Sequence, residues 1–176
     1  MEYSLDLHES LKIKSSVWNF DKEFDAEILE KSMINFMLEN KGIGLAANQI
    51  GIIKRMFVMG GYSIDGFPEP TGIFNPKILE FSDHHVEEIE GCLSYPKLWL
   101  KIKRPEAIVA EFQNSGGEII KKQFAGLASR CFQHELDHLD GICFVDKVSK
   151  LKLQLAMKKQ RKQKNDRTKS ICPEYL

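Results

Sequence analysis

The chain contains no run of 18 apolar residues, so no segment reads as a membrane-spanning helix. It also lacks a basic start followed by an apolar core. Met1-Glu-Tyr-Ser-Leu-Asp-Leu-His-Glu9 carries acids instead, which argues against a secretory signal or a transit peptide. The expected location is therefore the cytoplasm, or the equivalent compartment of a host or organelle. Cysteine is sparse, and Cys92, Cys131, Cys143 and Cys172 show no paired spacing. That excludes a disulfide framework and leaves free thiols, one or two of which could be ligands. Neither sign of charge is in excess, with 25 Lys and Arg against 25 Asp and Glu, so nothing draws the chain globally to DNA or to a membrane surface. No internal repeat or interdomain linker is visible. At 176 residues with 43% apolar content, the expectation is one globular domain over 1–165, monomeric, with a frayed tail at 166–176.

Helical spacing of Ile28, Leu29, Met33, Phe36 and Met37 predicts an amphipathic helix over 25–40, ended by Gly42. Arg55 to Met59, Gly72 to Asn75 and Ile78 to Phe81 read as short strands, with a Gly/Pro-bearing loop from Gly60 to Thr71. Ala107 to Phe112 and Glu118 to Phe124 flank Asn114-Ser-Gly-Gly117 and predict a hairpin. Leu127 to Asp140 reads as a helix closed by Gly141, and a last helix is expected from about Val148 to Lys164. The segment 147–169 is rich in Lys and Arg with only Asp166 as an acid. This pattern suits a solvated helix face, or alternatively docking to an RNA-rich partner such as the ribosome. Strands precede the second helix, which indicates an α+β fold rather than an alternating parallel one.

The chemistry concentrates in Gln133-His-Glu-Leu-Asp-His138. Residues four apart share a helix face, so His134 and His138 can reach one metal ion while Glu135 takes a proton from water beside it. With five His in the chain, a shuffled sequence would show this pattern in roughly one case in a hundred. Two imidazoles and one thiolate leave a fourth coordination position open, which is the catalytic arrangement, and Cys92 in Glu90-Gly-Cys-Leu-Ser94 can supply the sulfur. Gly42-Ile-Gly-Leu-Ala-Ala-Asn-Gln49-Ile-Gly51 reads as a backbone platform for an extended peptide. Gln49 would aim a neutral donor at the reacting carbonyl. Leu127, Cys131, His134 and His138 follow a 4-3-4 spacing, so Leu127 and Cys131 could line an apolar pocket leading to the metal.

These three segments, in this order, resemble the signature motifs of the peptide deformylase family, and the resemblance covers most of the chain. It implies antiparallel or mixed β-sheets packed around a central helix that carries the His-Glu-x-x-His motif, with a C-terminal helix. It implies removal of the formyl group from the formyl-methionine of nascent polypeptides. Cys92, His134 and His138 would be metal ligands and Glu135 the general base. Gln49 and the backbone N–H of Leu93 would stabilise the oxyanion, and Ile43, Gly44 and Glu90 would join Leu127 and Cys131 around the substrate pocket. The family's usual ion is Fe(II), with Zn(II), Ni(II) or Co(II) able to take the same site. The chain departs from the pattern at Trp99, near where many members place an Arg, and at Arg130, where an apolar pocket residue is usual. Asp137 could pair with Arg104 and help orient a ligand.

Two other readings compete. A metalloprotease of the His-Glu-x-x-His type would need a third ligand downstream, yet no His follows His138 and the only later Glu is Glu174. A metal-binding or ribosome-associated module without turnover would need neither Glu135 nor Gln49.

Overall fold

The computed structural model describes residues 5, 9–61, 64 and 69–169. In chain order the elements are α1 (Ala26–Glu39), β1 (Gly44–Ala46), β2 (Met56–Met59), β3 (Thr71–Phe81), β4 (His85–Cys92), β5 (Tyr95–Pro105), β6 (Ala107–Gln113), β7 (Ile119–Ala125), α2 (Gly126–Leu139) and α3 (Lys150–Lys169). The fold is α+β. Five strands form an antiparallel sheet in the order β1-β2-β3-β6-β7, and β4-β5 form a separate two-stranded sheet.

The all-apolar strand β2 shows why the larger sheet is covered on both faces. Alternate side chains of a strand point to opposite faces. Met56 and Val58 pack with Leu29, Met33 and Met37 of α1, whereas Phe57 and Met59 pack with Cys131 and Phe132 of α2. On the α2 side, Phe132 sits edge-on to Phe57 at 5.1 Å and 4.9 Å from Phe124. The sheet thus holds α2, and everything α2 carries, against a dense aromatic core.

Asp25 caps α1 by accepting from the amides of Glu27 and Ile28. The buried face of α1 is Ala26, Leu29, Met33 and Met37, while Ile28 is 55% exposed. The sequence pattern counts Ile28 in the core, but it lies outside the stripe set by its neighbours. The helix closes on Lys41 in the left-handed conformation (φ 58°), with Gly42 N–H donating to Met37 O, so Gly42 stands one residue past the turn it was expected to make.

The segments expected as two strands at 72–75 and 78–81 are one strand, β3, with register shifts against β6 between Phe74 and Lys77 and between Ile78 and Glu80. Asn75 at the first shift has φ 49°, and its side-chain amide pairs with the N–H and C=O of Trp18 like a strand residue. Most of the predicted loop at 60–71 precedes this strand; residues 62, 63 and 65–68 lie outside those described. Sequence reading assigns no element to 82–106, yet β4 and β5 lie there. The inward side chains Leu98, Leu100 and Ile102 of β5 form their own small core with Phe144, against which Leu153 and Ala156 of α3 pack. α3 continues to Lys169, so the start of the expected frayed tail is helical, and 170–176 lie outside the described residues.

Candidate active site

The second helix, the end of β4 and the 3-10 turn Ala47–Ile50 bring the motif residues together. The ligand atoms of Cys92, His134 and His138 all lie within 4.8 Å of one another. Cys92 Sγ is 3.2 Å from His138 Nε2, and the two imidazole centroids are 5.0 Å apart. His134 Nδ1 is 3.1 Å from Glu90 Oε2, which leaves Nε2 as the nitrogen that could ligate a metal. Three convergent donors, one soft sulfur and two imidazoles, fit a single divalent transition ion with one position left open.

The carboxylate behind His134 is the centre of a buried charge network. Glu90 accepts from Arg104 Nε at 2.6 Å and Nη2 at 3.0 Å, and from Arg130 Nη1 at 2.6 Å. Arg104 reaches on to Asp137 at 2.7 Å, the pairing expected from sequence, and Lys147 also contacts Asp137 at 3.0 Å. Burial alone would raise the Glu90 pKa, but its hydrogen bonds to His134 and Arg104 overcome this and hold it at about 2. Glu90 is therefore a fixed anion. It lines the cleft, but its carboxylate is committed to His134 and the two arginines. Burial disfavours charge on His134, yet its hydrogen bonds to Cys92 and Glu90 prevail and push it up to about 10. His138 is held well below its ordinary value by burial and by the neighbouring His134.

Glu135 is 5% exposed, and its Oε2 has no hydrogen-bond partner among the described residues. Burial pushes its pKa up to about 7, against the opposing pull of His134 and Arg104, which poises it as a base near neutral pH. The carboxylate lies against the bare Cα of Gly44 in β1. A Cβ added there would fall 2.7 Å from Cys131 Sγ and 2.9 Å from Glu135 Cδ. Cys131 donates weakly to Ile43 O at 3.4 Å, and burial keeps its thiol protonated.

The amide of Gln49 is fixed in orientation. Its Oε1 accepts from Ala46 N–H at 2.8 Å, so Nε2 faces Ser94 Oγ at 3.1 Å and Cys92 Sγ at 3.5 Å. The donor end thus points to the three-ligand cluster. Leu93 follows Cys92 in the β4–β5 turn and lines the cleft. Sequence reasoning missed Ser94, and it missed Asn48, whose amide donates to His138 O at 2.5 Å. Both sit inside the quoted motifs, and a polar residue within an otherwise small or apolar motif is the signal that marks them.

A cleft of about 770 Å³ opens onto the cluster. Ile43, Gly44, Leu127 and Cys131 line its apolar part, with Leu127 38% exposed at the rim rather than packed in the core. Arg130 also borders it, but its guanidinium is anchored by Glu88, Glu90 and the carbonyls of Val86 and Ile102.

An α+β fold that presents two buried histidines and a half-buried cysteine in one group, a neighbouring carboxylate and an open cleft fits the class of single-metal hydrolases. The comparisons with known proteins agree. The family model described as polypeptide deformylase matches residues 5–154. The peptide deformylase of Thermotoga maritima is 39% identical over 143 residues, covering 81% of this chain and 83% of that protein. The crystal structure of the Ehrlichia chaffeensis peptide deformylase superposes with a TM-score of 0.79 at 30% identity, covering 97% of this chain and 99% of the other. A Met-Ala-Ser-bound class I type b enzyme from Acinetobacter baumannii gives 0.76 at 30% identity, covering 84% of this chain and 98% of the other. This chain belongs to the peptide deformylase family.

Proposed function

We propose that the chain is a metal-dependent peptide deformylase, hydrolysing the formyl amide of N-formylmethionyl peptides to formate and a free α-amino group. The observation that carries this reading is the convergence of Cys92 Sγ and the rings of His134 and His138 within 4.8 Å, with the Glu135 carboxylate buried in the next position of the same helix.

Cys92, His134 and His138 would hold one divalent ion, Fe(II) by preference, with Zn(II), Ni(II) or Co(II) as substitutes. When bound, it would supply Lewis-acid polarisation of the formyl oxygen and lower the pKa of water toward ~7. Glu135 takes a proton from the attacking water and returns it to the amine nitrogen as the C–N bond breaks. The Gln49 amide and the Leu93 N–H donate to the oxygen that becomes negative in the tetrahedral state. Glu90 and its two arginines fix the His134 ring. The first side chain of the substrate enters between Ile43, Leu127 and Cys131. An acyl group as small as formyl suits a reacting centre crowded by Gly44, Cys131 and Glu135.

The metalloprotease reading is disfavoured because the third ligand is the upstream Cys92, in a strand rather than beyond the motif helix. The basic segment 147–169 supports contact with ribosomal RNA near emerging substrates. The same reading takes the chain as a cytoplasmic monomer; none of the described helices is long and apolar enough to cross a membrane. The test is formate release by anaerobically Fe(II)-loaded protein from formyl-Met-Ala, with an acetylated internal peptide alongside. Glu135→Ala should keep its metal while turnover falls by roughly 10²–10⁴-fold. Cleavage of the internal peptide without formate would overturn the assignment.

A further inference from the structure

Among the described residues, five buried side-chain nitrogen or oxygen atoms have no hydrogen-bond partner in the protein: Ser15 Oγ, Trp18 Nε1, Asn48 Oδ1, Glu135 Oε2 and His138 Nδ1. Buried polar atoms are nearly always paired, so each orphan needs a reason. Glu135 has one as the proposed base. Three of the others belong to one place, the last turn of α2. Asn48 grips it through Nδ2, which donates to His138 O at 2.5 Å. Ser15 grips it through its backbone N–H, which donates to Leu139 O at 2.8 Å. His138 is the third, and Asn48, Ser15 and His138 are 0%, 4% and 1% exposed.

The three orphans are chemically complementary. The Asn48 amide is fixed in orientation, because Nδ2 donates to His138 O and also reaches Ser10 O at 3.4 Å. Its Oδ1 is thereby an acceptor without a donor. The His138 ring turns Nε2 to Cys92 Sγ at 3.2 Å. Nδ1 is bonded to the ring carbon that carries Cβ, so it stays near the backbone that Asn48 and Ser15 grip. When Nε2 ligates a metal the ring proton sits on Nδ1, which is then a donor without an acceptor. A metal-bound imidazole almost always gives that N–H to a carboxylate, a carbonyl or a water. Behind His134 the partner is Glu90. Behind His138 no protein atom fills the role, and Asn48 Oδ1 does not bond Nδ1 directly.

We propose that Ser15 Oγ, Asn48 Oδ1 and His138 Nδ1 bind one internal water, and that this water orients the second imidazole, with Asn48 as a positioning residue acting through it. A single water can accept from Nδ1 while donating to Oδ1 and to the Ser15 hydroxyl. Internal waters typically make about three such bonds to groups that otherwise lack partners. The two rings would then be held differently, His134 by a charged clamp and His138 by a neutral one. This inference rests on the reading of His138 as a metal ligand through Nε2.

A crystal structure of the Zn(II)-loaded full chain tests it directly. The expected result is an ordered water within about 2.6–3.2 Å of both His138 Nδ1 and Asn48 Oδ1. A metal on Cys92, His134 and His138 with no such water sinks the inference and leaves the metal reading intact. Zn(II) affinity, measured by chelator competition, adds a readout independent of turnover. Asn48→Asp keeps the acceptor and loses the donor to His138 O, whereas Asn48→Leu loses both. Affinity should fall roughly 10–100-fold in Asn48→Leu and stay within about threefold of wild type in Asn48→Asp. Equal losses in the two variants would assign the effect to the Nδ2 bond at the helix end and overturn the role of the water. Unchanged affinity in both would overturn it too. A chain that holds no ion on these three residues overturns the inference and the metal reading together.

Discussion

Replacing Gly44 by Ala separates the geometry of Glu135, the proposed general base, from metal binding. Gly44 has no positive φ, so the backbone of β1 accepts Ala without strain. The added Cβ meets Glu135 Oε1 and lies 2.7 Å from Cys131 Sγ and 2.9 Å from Glu135 Cδ. Carbon–carbon contact is comfortable at about 3.5–4.0 Å, so the carboxyl must retreat by roughly 1 Å. Both displaced groups are side-chain ends, but each is at least 95% buried, which limits where they can go. Overpacking of this kind costs about 1–3 kcal/mol, or about 2–12 °C in Tm for a chain of this length. A misplacement near 1 Å at the reacting centre costs on the order of 10²-fold in rate. The three nearest atoms belong to Glu135 and Cys131, not to the proposed metal ligands. Gly44→Ala should therefore fold, carry one metal per chain by elemental analysis, and release formate with kcat lowered about 100-fold and KM little changed. A folded, fully loaded variant with kcat within about threefold of wild type would refute the placement of Glu135 against Gly44.

Glu90→Gln should destabilise the protein by about 3–5 kcal/mol at pH 7, because it removes the buried carboxylate that Arg104 and Arg130 share and leaves them only Asp137 and the more exposed Glu88. The folded Glu90 pKa lies near 2 and its ordinary value near 4.5, so the stabilisation is present above pH 4.5 and lost as pH falls toward 2. Urea unfolding at a series of pH values should show the gap between wild type and variant closing across that window; a constant gap would count against the ionic network. On α1, Leu29→Ala should cost about 2–5 kcal/mol and Ile28→Lys less than about 0.5 kcal/mol, as measured by chemical denaturation. Similar losses at the two positions would mean that the buried face is assigned wrongly.

Local rules carried the sequence reading furthest where one face of an element repeats. The spacing of α2 forecast both imidazoles on one face, and the small residues of 42–51 forecast a backbone packed tightly against something. The Arg104–Asp137 pair was also legible, because two opposite charges stood near a motif that needed support. What could not be read was the carboxylate joining the halves. Glu90 looks like one acid among several in Glu87-Glu88-Ile89-Glu90, and only tertiary packing distinguishes the buried one from its exposed neighbours. The β4 strand was invisible for the same reason. One of its faces is solvent at the cleft, so its residues are mostly polar and carry no hydrophobic alternation. Strand β5 does alternate, but Trp99 among the outward residues and Pro96 near its start obscure the period.

The placement of Glu90 suggests why a costly cluster of charges is buried here at all. Cys92, the proposed sulfur ligand, belongs to the β4–β5 hairpin, whose core is Leu98, Leu100, Ile102 and Phe144. The imidazoles belong to α2, whose core is the five-stranded sheet. Apolar packing holds each unit together but is non-directional, and it would leave the separation between sulfur and nitrogen loosely set. Hydrogen bonds to a carboxylate are directional and short. Glu90 stands two residues from Cys92 on β4 and receives Arg104 from β5 and both Arg130 and His134 from α2. A buried ion network is weak evidence for stability but a good means of fixing register between two packed units. Here it places one soft donor against two harder ones, with Cys92 Sγ and His138 Nε2 already 3.2 Å apart. The chemistry then depends less on either core than on the one anion that spans them.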